Sequence, residues 1–227
     1  MIASPHSASG LKEDETLDAL RLRLAPLVAA NAAFDGWSTA AVALAADQAG
    51  VDRDVAALAF EGGAMTMIEA WFASVDTAML ARFTPAELAA MKVRARITAL
   101  VEARLAMLAP QRESLRRAQS VLAMPAHIGR ATRLGWRAAD SMWRAAGDTA
   151  VDYNHYTKRA TLGAVYAATL LAFVNDESED HAETRAFLAR RIEGIMRFEK
   201  AKARLTAGAD RHFSIVRFAG RLRYPGR

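Results

Sequence analysis

Histidine is the residue type in this chain best suited to metal binding or proton transfer, and its spacing argues against both. None of the five histidines lies three residues after a glutamate, the spacing that di-iron carboxylate proteins need. Zinc-helix, nucleophile-elbow and phosphate-loop motifs are also absent from the sequence. Because the chain contains no cysteine, thiol catalysis, iron–sulfur clusters and cysteine-based zinc sites are excluded. The sequence therefore predicts no catalytic residues, no metal site and no cofactor.

Basic residues are concentrated at the carboxy-terminal end of the chain. From Arg197 onward there are nine basic and two acidic residues, a net charge of +7, whereas the rest of the chain carries −2. Apolar residues alternate with arginine near the end, which predicts a short basic amphipathic helix that binds an anionic surface, either a membrane or a nucleic acid. The predicted membrane contacts are Arg211, Phe213, Val216, Arg217, Phe218 and Arg221. A solvated charged end is the simpler alternative.

The elements that must position any site are predicted to be helices. Of 227 residues, 52% are hydrophobic, and only 13 are glycine and 6 proline, so strong helix formers dominate. Start and stop signals predict an all-α bundle of nine to ten helices that forms one structural unit. Thr84 begins a helix predicted to reach Leu108, and Asp180 with Glu183 begins another. The predicted parts are a flexible terminus (1–12), a helix-turn-helix-like part (13–81), a helical core that contains the candidate ligand-binding helix (82–205) and the basic tail (206–227).

The helix predicted between Asp152 and Val174 is apolar all round, which is typical of a helix buried on every side. Its uncharged run is about 16 residues, short of the roughly 20 that span a bilayer. One side is bulky and the other carries Gly163 and several alanines. Such a bare side favours either close helix packing or room for a ligand. The bulky residues that we interpret as the wall of a ligand pocket are Leu162, Val165, Tyr166, Thr169 and Leu170.

The segment from Gly36 to Ala81 resembles the amino-terminal region of TetR-type repressors. In those proteins the helix that corresponds to Asp52–Glu61 enters the major groove of DNA. Here that helix exposes three acidic residues and one arginine, a surface that the negative charge of DNA repels. We therefore predict a degenerate helix-turn-helix and no nucleic-acid partner. Short helices that merely complete the core are the simpler interpretation.

Several blocks in the second half of the chain resemble one protein family. They are Asp140-Ser141-Met142-Trp143, Ala146-Gly147-Asp148, Asp152 to Ala160 with the run Tyr-Thr-Lys-Arg-Ala, and Asp176-Glu177-Ser178. These blocks are similar to the ubiquinone-biosynthesis accessory proteins of the ninth coenzyme Q protein family. His155 and Ser141 depart from that pattern, since relatives often carry tryptophan and an acid there.

The resemblance implies a TetR-like helical fold without DNA binding, an apolar lipid pocket and association with membranes. It also implies that the demethoxyubiquinone hydroxylase is the protein partner. On this basis the docking face is expected at Asp140, Trp143, Arg144, Tyr153 and Tyr156.

The predicted function is that of a membrane-associated accessory protein that binds an isoprenoid quinone precursor or a phospholipid and presents it to the hydroxylase. Two alternatives are open: a ligand-sensing TetR-type regulator, and an enzyme without a recognisable motif. The amino terminus has neither the apolar run of a signal peptide nor the arginines of a transit peptide. This amino terminus predicts a bacterial cytoplasmic protein. The basic tail and the family resemblance predict that it is peripheral to the inner membrane. A homodimer is left open.

Overall fold

The structure, a computed structural model, describes residues 15–149 and 153–209. This part of the chain is built from helices joined by short turns. Within these residues there are ten α-helices and three short 3-10 turns, and no strand. This architecture agrees with the all-α prediction. The α-helices are α1 (Leu17–Asp35), α2 (Thr39–Ala49), α3 (Arg53–Ala59), α4 (Gly63–Ala81), α5 (Pro85–Ala90), α6 (Val93–Leu108), α7 (Arg112–Leu122), α8 (Ile128–Ala145), α9 (Tyr153–Asn175) and α10 (Ala182–Ala209).

Local capping chemistry sets most helix ends. Ser38 caps α2, and Gly50, in the left-handed region at φ 64°, ends it and turns the chain into α3. At the start of α5, Thr84 and Glu87 form the predicted capping box. At the end of α8, Gly147 has φ 83°, and the Asp148 amide donates to the Trp143 carbonyl at 3.0 Å. These ends could be located from sequence because each signal lies within four residues of the end that it makes.

Two predicted helix boundaries were wrong. The helix predicted from Pro85 to Leu108 is broken between α5 and α6, where Met91 and Lys92 are extended. Arg96 stabilises the break, because its guanidinium donates to the carbonyl groups of Met91, Ala89 and Ala146 and so satisfies the ends of α5 and α8. The second error concerns Asp180, which does not begin the last helix.

The junction before α10 begins earlier, at Asp176. The Asp176 carboxylate is buried and accepts hydrogen bonds from the amide and hydroxyl groups of Ser178 and Thr184 at 2.5–2.9 Å. Asp180 lies in a 3-10 turn with a left-handed φ of 51°. Thus one buried carboxylate, joined to both sides of the turn, sets the path from α9 into α10.

The core joins the helix-turn-helix half to the rest of the molecule. The rings of Trp37 and Trp71 lie 5.3 Å apart, and the Trp37 indole donates to the Ser114 carbonyl at 3.1 Å. Buried side chains from α1 through α10 form one hydrophobic cluster, from Leu20 on α1 to Ile192 on α10. Helices α8 and α9 pack against each other, and α10 packs on α9 and α6. Among the described helices, none covers the remaining side of α9.

Candidate lipid-binding site

Helix α9 is not buried on every side, so the prediction of all-round burial was wrong. An apolar stripe formed by Ala160, Ala164, Ala167 and Leu171 is exposed, and Leu171 shows 58% of its surface. The opposite side packs into the core, where Leu162, Tyr166 and Phe173 are buried. Alanine presents little apolar area, which is why an apolar sequence alone could not distinguish an exposed stripe from a covered one.

The side of α9 with small residues was predicted either to pack closely on another helix or to leave room for a ligand. Each of these interpretations holds at one of two successive turns of α9. At Gly163 the helix packs closely on α8, since a Cβ atom there would lie 3.3 Å from the Gly135 carbonyl oxygen and 3.8 Å from the Ala139 methyl group. One turn later Ala167 borders open space instead of a neighbouring backbone. The small residues therefore allow close packing at one level and leave a cavity at the next.

That cavity has a volume of about 260 Å³ and lies between α4, α7, α8 and α9. Its walls are almost entirely apolar, and its exposed rim includes Ala123 and Leu171. Two polar atoms on lining residues, Nε2 of Gln119 and the hydroxyl of Tyr166, are buried without a hydrogen-bond partner in the described part of the chain. The lining residues are Phe72, Gln119, Leu122, Ala123, Ala131, Leu134, Gly135, Ala138, Tyr166, Ala167, Leu170 and Leu171. Such a cleft suits an apolar ligand.

The five residues predicted as one pocket wall are divided by the structure. Tyr166 and Leu170 line the 260 Å³ cavity. Leu162 instead lines a second cavity of about 250 Å³, on the far side of α9, together with Trp143 and residues of α6 and α10. Val165 and Thr169 line neither cavity, and the Thr169 hydroxyl donates to the Val165 carbonyl at 2.7 Å within α9.

Beneath Tyr166 lies a buried cation that sequence reasoning missed. Arg104 on α6 is fully buried, forms an ion pair with Asp76, and places its guanidinium carbon 4.9 Å from the centre of the Tyr166 ring. Burial raises the pKa of the Tyr166 hydroxyl, so the side chain stays neutral and donates or accepts as a phenol. No local pattern marks Arg104 as buried, because its partners lie on α4 and α9.

The acidic residues of the family blocks form an ion-pair cluster between α8 and α9. Asp140 accepts from Arg159 at 2.6 Å and from Arg144 at 2.8 Å, and Asp148 accepts from Arg159 and Lys158. Arg159 is 2% exposed. Partial burial acts to raise the pKa values of Asp140 and Asp148, but the hydrogen bonds from the cations outweigh it and lower both pKa values. The cluster therefore holds α8 to α9.

The predicted docking residues have unequal access to a partner. The Trp143 indole donates to the Lys158 carbonyl at 3.0 Å, and the Lys158 ammonium lies 5.4 Å from its ring, so Trp143 mainly contacts its own chain. Arg144 is well exposed, and Tyr156 is 61% exposed. The side chain of Tyr153 lies outside the described residues. Trp136, which the sequence analysis missed, adds its ring 6.1 Å from that of Tyr156.

The membrane contacts predicted in the tail, Arg211, Phe213, Val216, Arg217, Phe218 and Arg221, all lie outside the described residues. Among the helices that the structure describes, none is both long and apolar enough to cross a bilayer.

The helix-turn-helix region has the predicted acidic surface. Asp54 on α3 and Asp52 at its N-cap are exposed, and Arg53 is paired with Asp47 at 2.6 Å. A surface of this kind offers little to bind a phosphate backbone.

The fold and the sequence of this chain were compared with those of known proteins. A solved TetR transcriptional regulator from Nitrosomonas europaea superimposes with a TM-score of 0.60 and 26% identity, covering 77% of this chain and 96% of that one. The fold is therefore TetR-like, as predicted. Residues 128–199 match the COQ9 family model. This matched segment spans α8, α9 and the first part of α10. This match confirms the resemblance inferred from the sequence blocks.

Individual relatives agree with the family match. The ubiquinone biosynthesis protein COQ9 of Homo sapiens is 42% identical over 96 residues, which are 42% of this chain and 30% of that protein. The COQ9 protein of Drosophila melanogaster is 25% identical over 187 residues, 81% of this chain and 57% of that one. The chain thus spans under a third of the human relative and just over half of the fly relative.

The predicted location was contradicted by the same relatives. Their names describe them as mitochondrial, which points away from a bacterial cytoplasmic location. The features of the amino terminus on which that prediction depended lie outside the described residues.

Proposed function

We propose that this chain is a lipid-binding accessory protein of ubiquinone biosynthesis that carries an apolar quinone precursor or a phospholipid. The observation that supports the proposal most directly is the apolar cavity between α4, α7, α8 and α9. Eight of its twelve lining residues, on α8 and α9, lie within the segment that matches COQ9, which connects the cavity to relatives named for ubiquinone biosynthesis.

The size of the cavity favours a partial hold on a long chain. At about 260 Å³ it is slightly smaller than the roughly 300–1,000 Å³ of sites that enclose a drug-sized ligand. A polyprenyl or acyl chain would therefore bury one segment in the cavity and extend along the exposed apolar stripe of α9. Burial of a five-carbon isoprene segment contributes about 4 kcal/mol at about 0.8 kcal/mol per carbon.

We propose further that the bound lipid is presented to the demethoxyubiquinone hydroxylase where the end of α8 meets the start of α9. Arg144 and Tyr156, with the neighbouring ring of Trp136, supply the exposed aromatic and cationic groups that are common in protein interfaces. Membrane association through the basic carboxy-terminal segment from Arg197 onward, whose net charge is +7, would bring the cavity to the bilayer.

The TetR-like fold favours one second candidate, a DNA-binding regulator. The exposed acids of α3 and the pairing of Arg53 with Asp47 oppose it, because a recognition helix needs cations and neutral donors for phosphates. We rank this candidate below lipid carriage for that reason.

The lipid proposal is tested with Ala167→Phe. Ala167 is exposed at the cavity, so a phenyl ring has room to occupy the space that a prenyl segment would use. We expect unchanged thermal unfolding, loss of co-purified lipid in native mass spectrometry, and a 100-fold or greater loss of affinity for a neutral short-chain isoprenoid, since about 4 kcal/mol corresponds to nearly 1,000-fold.

The matched control is Ala30→Phe, an exposed alanine on α1 away from the cavity. If Ala167→Phe folds and binds the isoprenoid as the wild type does, the cavity is not the lipid site.

A further inference from the structure

An arginine-lined cleft adjoins the apolar cavity. It has a volume of about 330 Å³ and is lined by Glu69, Arg130, Arg133, Leu134 and Arg137. Leu134 lines both spaces, and on α4 Glu69 of the cleft lies three residues before Phe72 of the cavity. Cleft and cavity are therefore neighbours in the groove between α4 and α8.

Two of the three arginines in this cleft are available to a ligand. The charge of Arg130 is already paired, because its guanidinium donates two hydrogen bonds of 2.7 Å to the Glu69 carboxylate. Arg133 and Arg137 are exposed, and within residues 15–149 and 153–209 neither side chain makes a hydrogen bond or an ion pair. They lie four residues apart, so their guanidinium groups emerge from the same face of α8.

The charge of this cleft is unbalanced. Three arginines face the single carboxylate of Glu69, and all three act to lower its pKa, although partial burial acts to raise it. The nearest acid on the same helix, Asp140, is already paired with Arg144 and Arg159. An anion in the cleft would therefore meet two uncompensated cations with the planar donor geometry that suits phosphate oxygens.

We infer that Arg133 and Arg137 form a headgroup site for a phosphate-bearing amphiphile whose apolar chain occupies the adjoining cavity. This inference rests on the proposed function, since it assigns the cavity to the chain of the same ligand. Of the two ligand classes proposed above, a quinone precursor and a phospholipid, it assigns to the cleft the class that has an anionic head next to its tail. An uncharged alkyl chain would use the cavity alone.

The test compares dodecyl phosphate, dodecanol and inorganic phosphate, each titrated calorimetrically below the micellar concentration. The wild type should bind dodecyl phosphate about tenfold more tightly than dodecanol, a difference of about 1.4 kcal/mol. Added salt should shrink that advantage, because the arginines are exposed. Inorganic phosphate should bind far more weakly than dodecyl phosphate.

The double variant Arg133→Gln with Arg137→Gln should lose the tenfold advantage and keep its affinity for dodecanol. The control Arg82→Gln with Arg190→Gln makes the same change of net charge at exposed arginines outside the groove and should keep the advantage. Both variants change exposed side chains, so thermal unfolding should match the wild type.

Each contrary outcome identifies what is wrong. Equal affinity of the wild type for both alkyl probes would overturn the headgroup site and leave the cavity assignment standing. Failure of both alkyl probes to bind would overturn the cavity and the headgroup site together. If inorganic phosphate binds as tightly as dodecyl phosphate, the cleft is a free-anion site and the amphiphile is refuted.

Discussion

Gly163 offers the sharpest test of how α8 and α9 pack. A methyl group added at this position would lie 3.3 Å from the Gly135 carbonyl oxygen, a contact tighter than normal carbon–oxygen packing. Glycine inside a helix costs about 0.5–1 kcal/mol relative to alanine, so Gly163→Ala should gain that amount if space were free. The crowding predicts that most of the gain is lost. Gly163→Leu adds three further carbons and should lower the free energy of unfolding by about 1–3 kcal/mol.

The assay is urea unfolding followed by far-ultraviolet circular dichroism, with Gly194→Ala as the matched control. Gly194 lies inside α10, and a Cβ atom there would have nothing within 4 Å. Gly194→Ala should therefore raise the free energy of unfolding by about 0.5–1 kcal/mol. The difference between the two alanine variants isolates the crowding at Gly163 from helix propensity.

The result that would refute close packing is equal stabilisation by both alanine variants together with a tolerated Gly163→Leu. In that case α8 and α9 would be further apart at Gly163 than the structure shows. If the leucine variant also lost bound lipid while remaining stable, the cavity would extend past Gly163.

Two further predictions concern the α9–α10 junction and the docking face. Asp176→Ala should lower the free energy of unfolding by about 3 kcal/mol at pH 7, because the buried Thr184 amide loses its acceptor. Burial acts to raise the pKa of Asp176, but the hydrogen bonds to its carboxylate outweigh burial and depress the pKa strongly. The stabilisation by Asp176 is therefore present above the unfolded-state pKa of about 4 and should decline as pH falls below that value, which acid titrations of wild type and variant would show. The double variant Arg144→Glu with Tyr156→Ala should keep the fold and lose the hydroxylase in a pull-down, because both side chains are exposed. Trp143→Lys should instead lower the melting temperature, because it removes the hydrogen bond from the indole to the Lys158 carbonyl. If the folded double variant still binds the hydroxylase, the docking face lies elsewhere.

Helix ends were predictable where the signal is local and unpredictable where it is not. Ser38, Gly50 and the Thr84 capping box act within one turn, so a sequence pattern identifies them. The break between α5 and α6 depends on Arg96, whose guanidinium also reaches the Ala146 carbonyl 50 residues away. No periodicity reveals a contact of that range, and helix propensity favours continuing through the break.

Candidate site residues were recognised by type but not always by role. The blocks that led to Asp140 and Trp143 contain residues that mainly bind their own chain, through Arg159 and Lys158. Sequence cannot distinguish an ion pair within the chain from one across an interface, because both use the same residue types. The arginines of α8 have a helical spacing that could have been found, but their place beside a cavity depends on Leu134 and on α4.

The geometry of α8 connects the lipid proposal to the docking proposal. Arg137 and Arg144 are seven residues apart, which is two helical turns and about 10 Å along one face of the helix. Leu134, shared by the cavity and the arginine cleft, lies just before them. A quinone precursor with its chain in the same cavity would therefore hold its head near Arg137, within about 10 Å of a partner bound at Arg144. The partner could reach the head while the chain stays shielded from water, so presentation would not require the full cost of exposing the buried apolar segment.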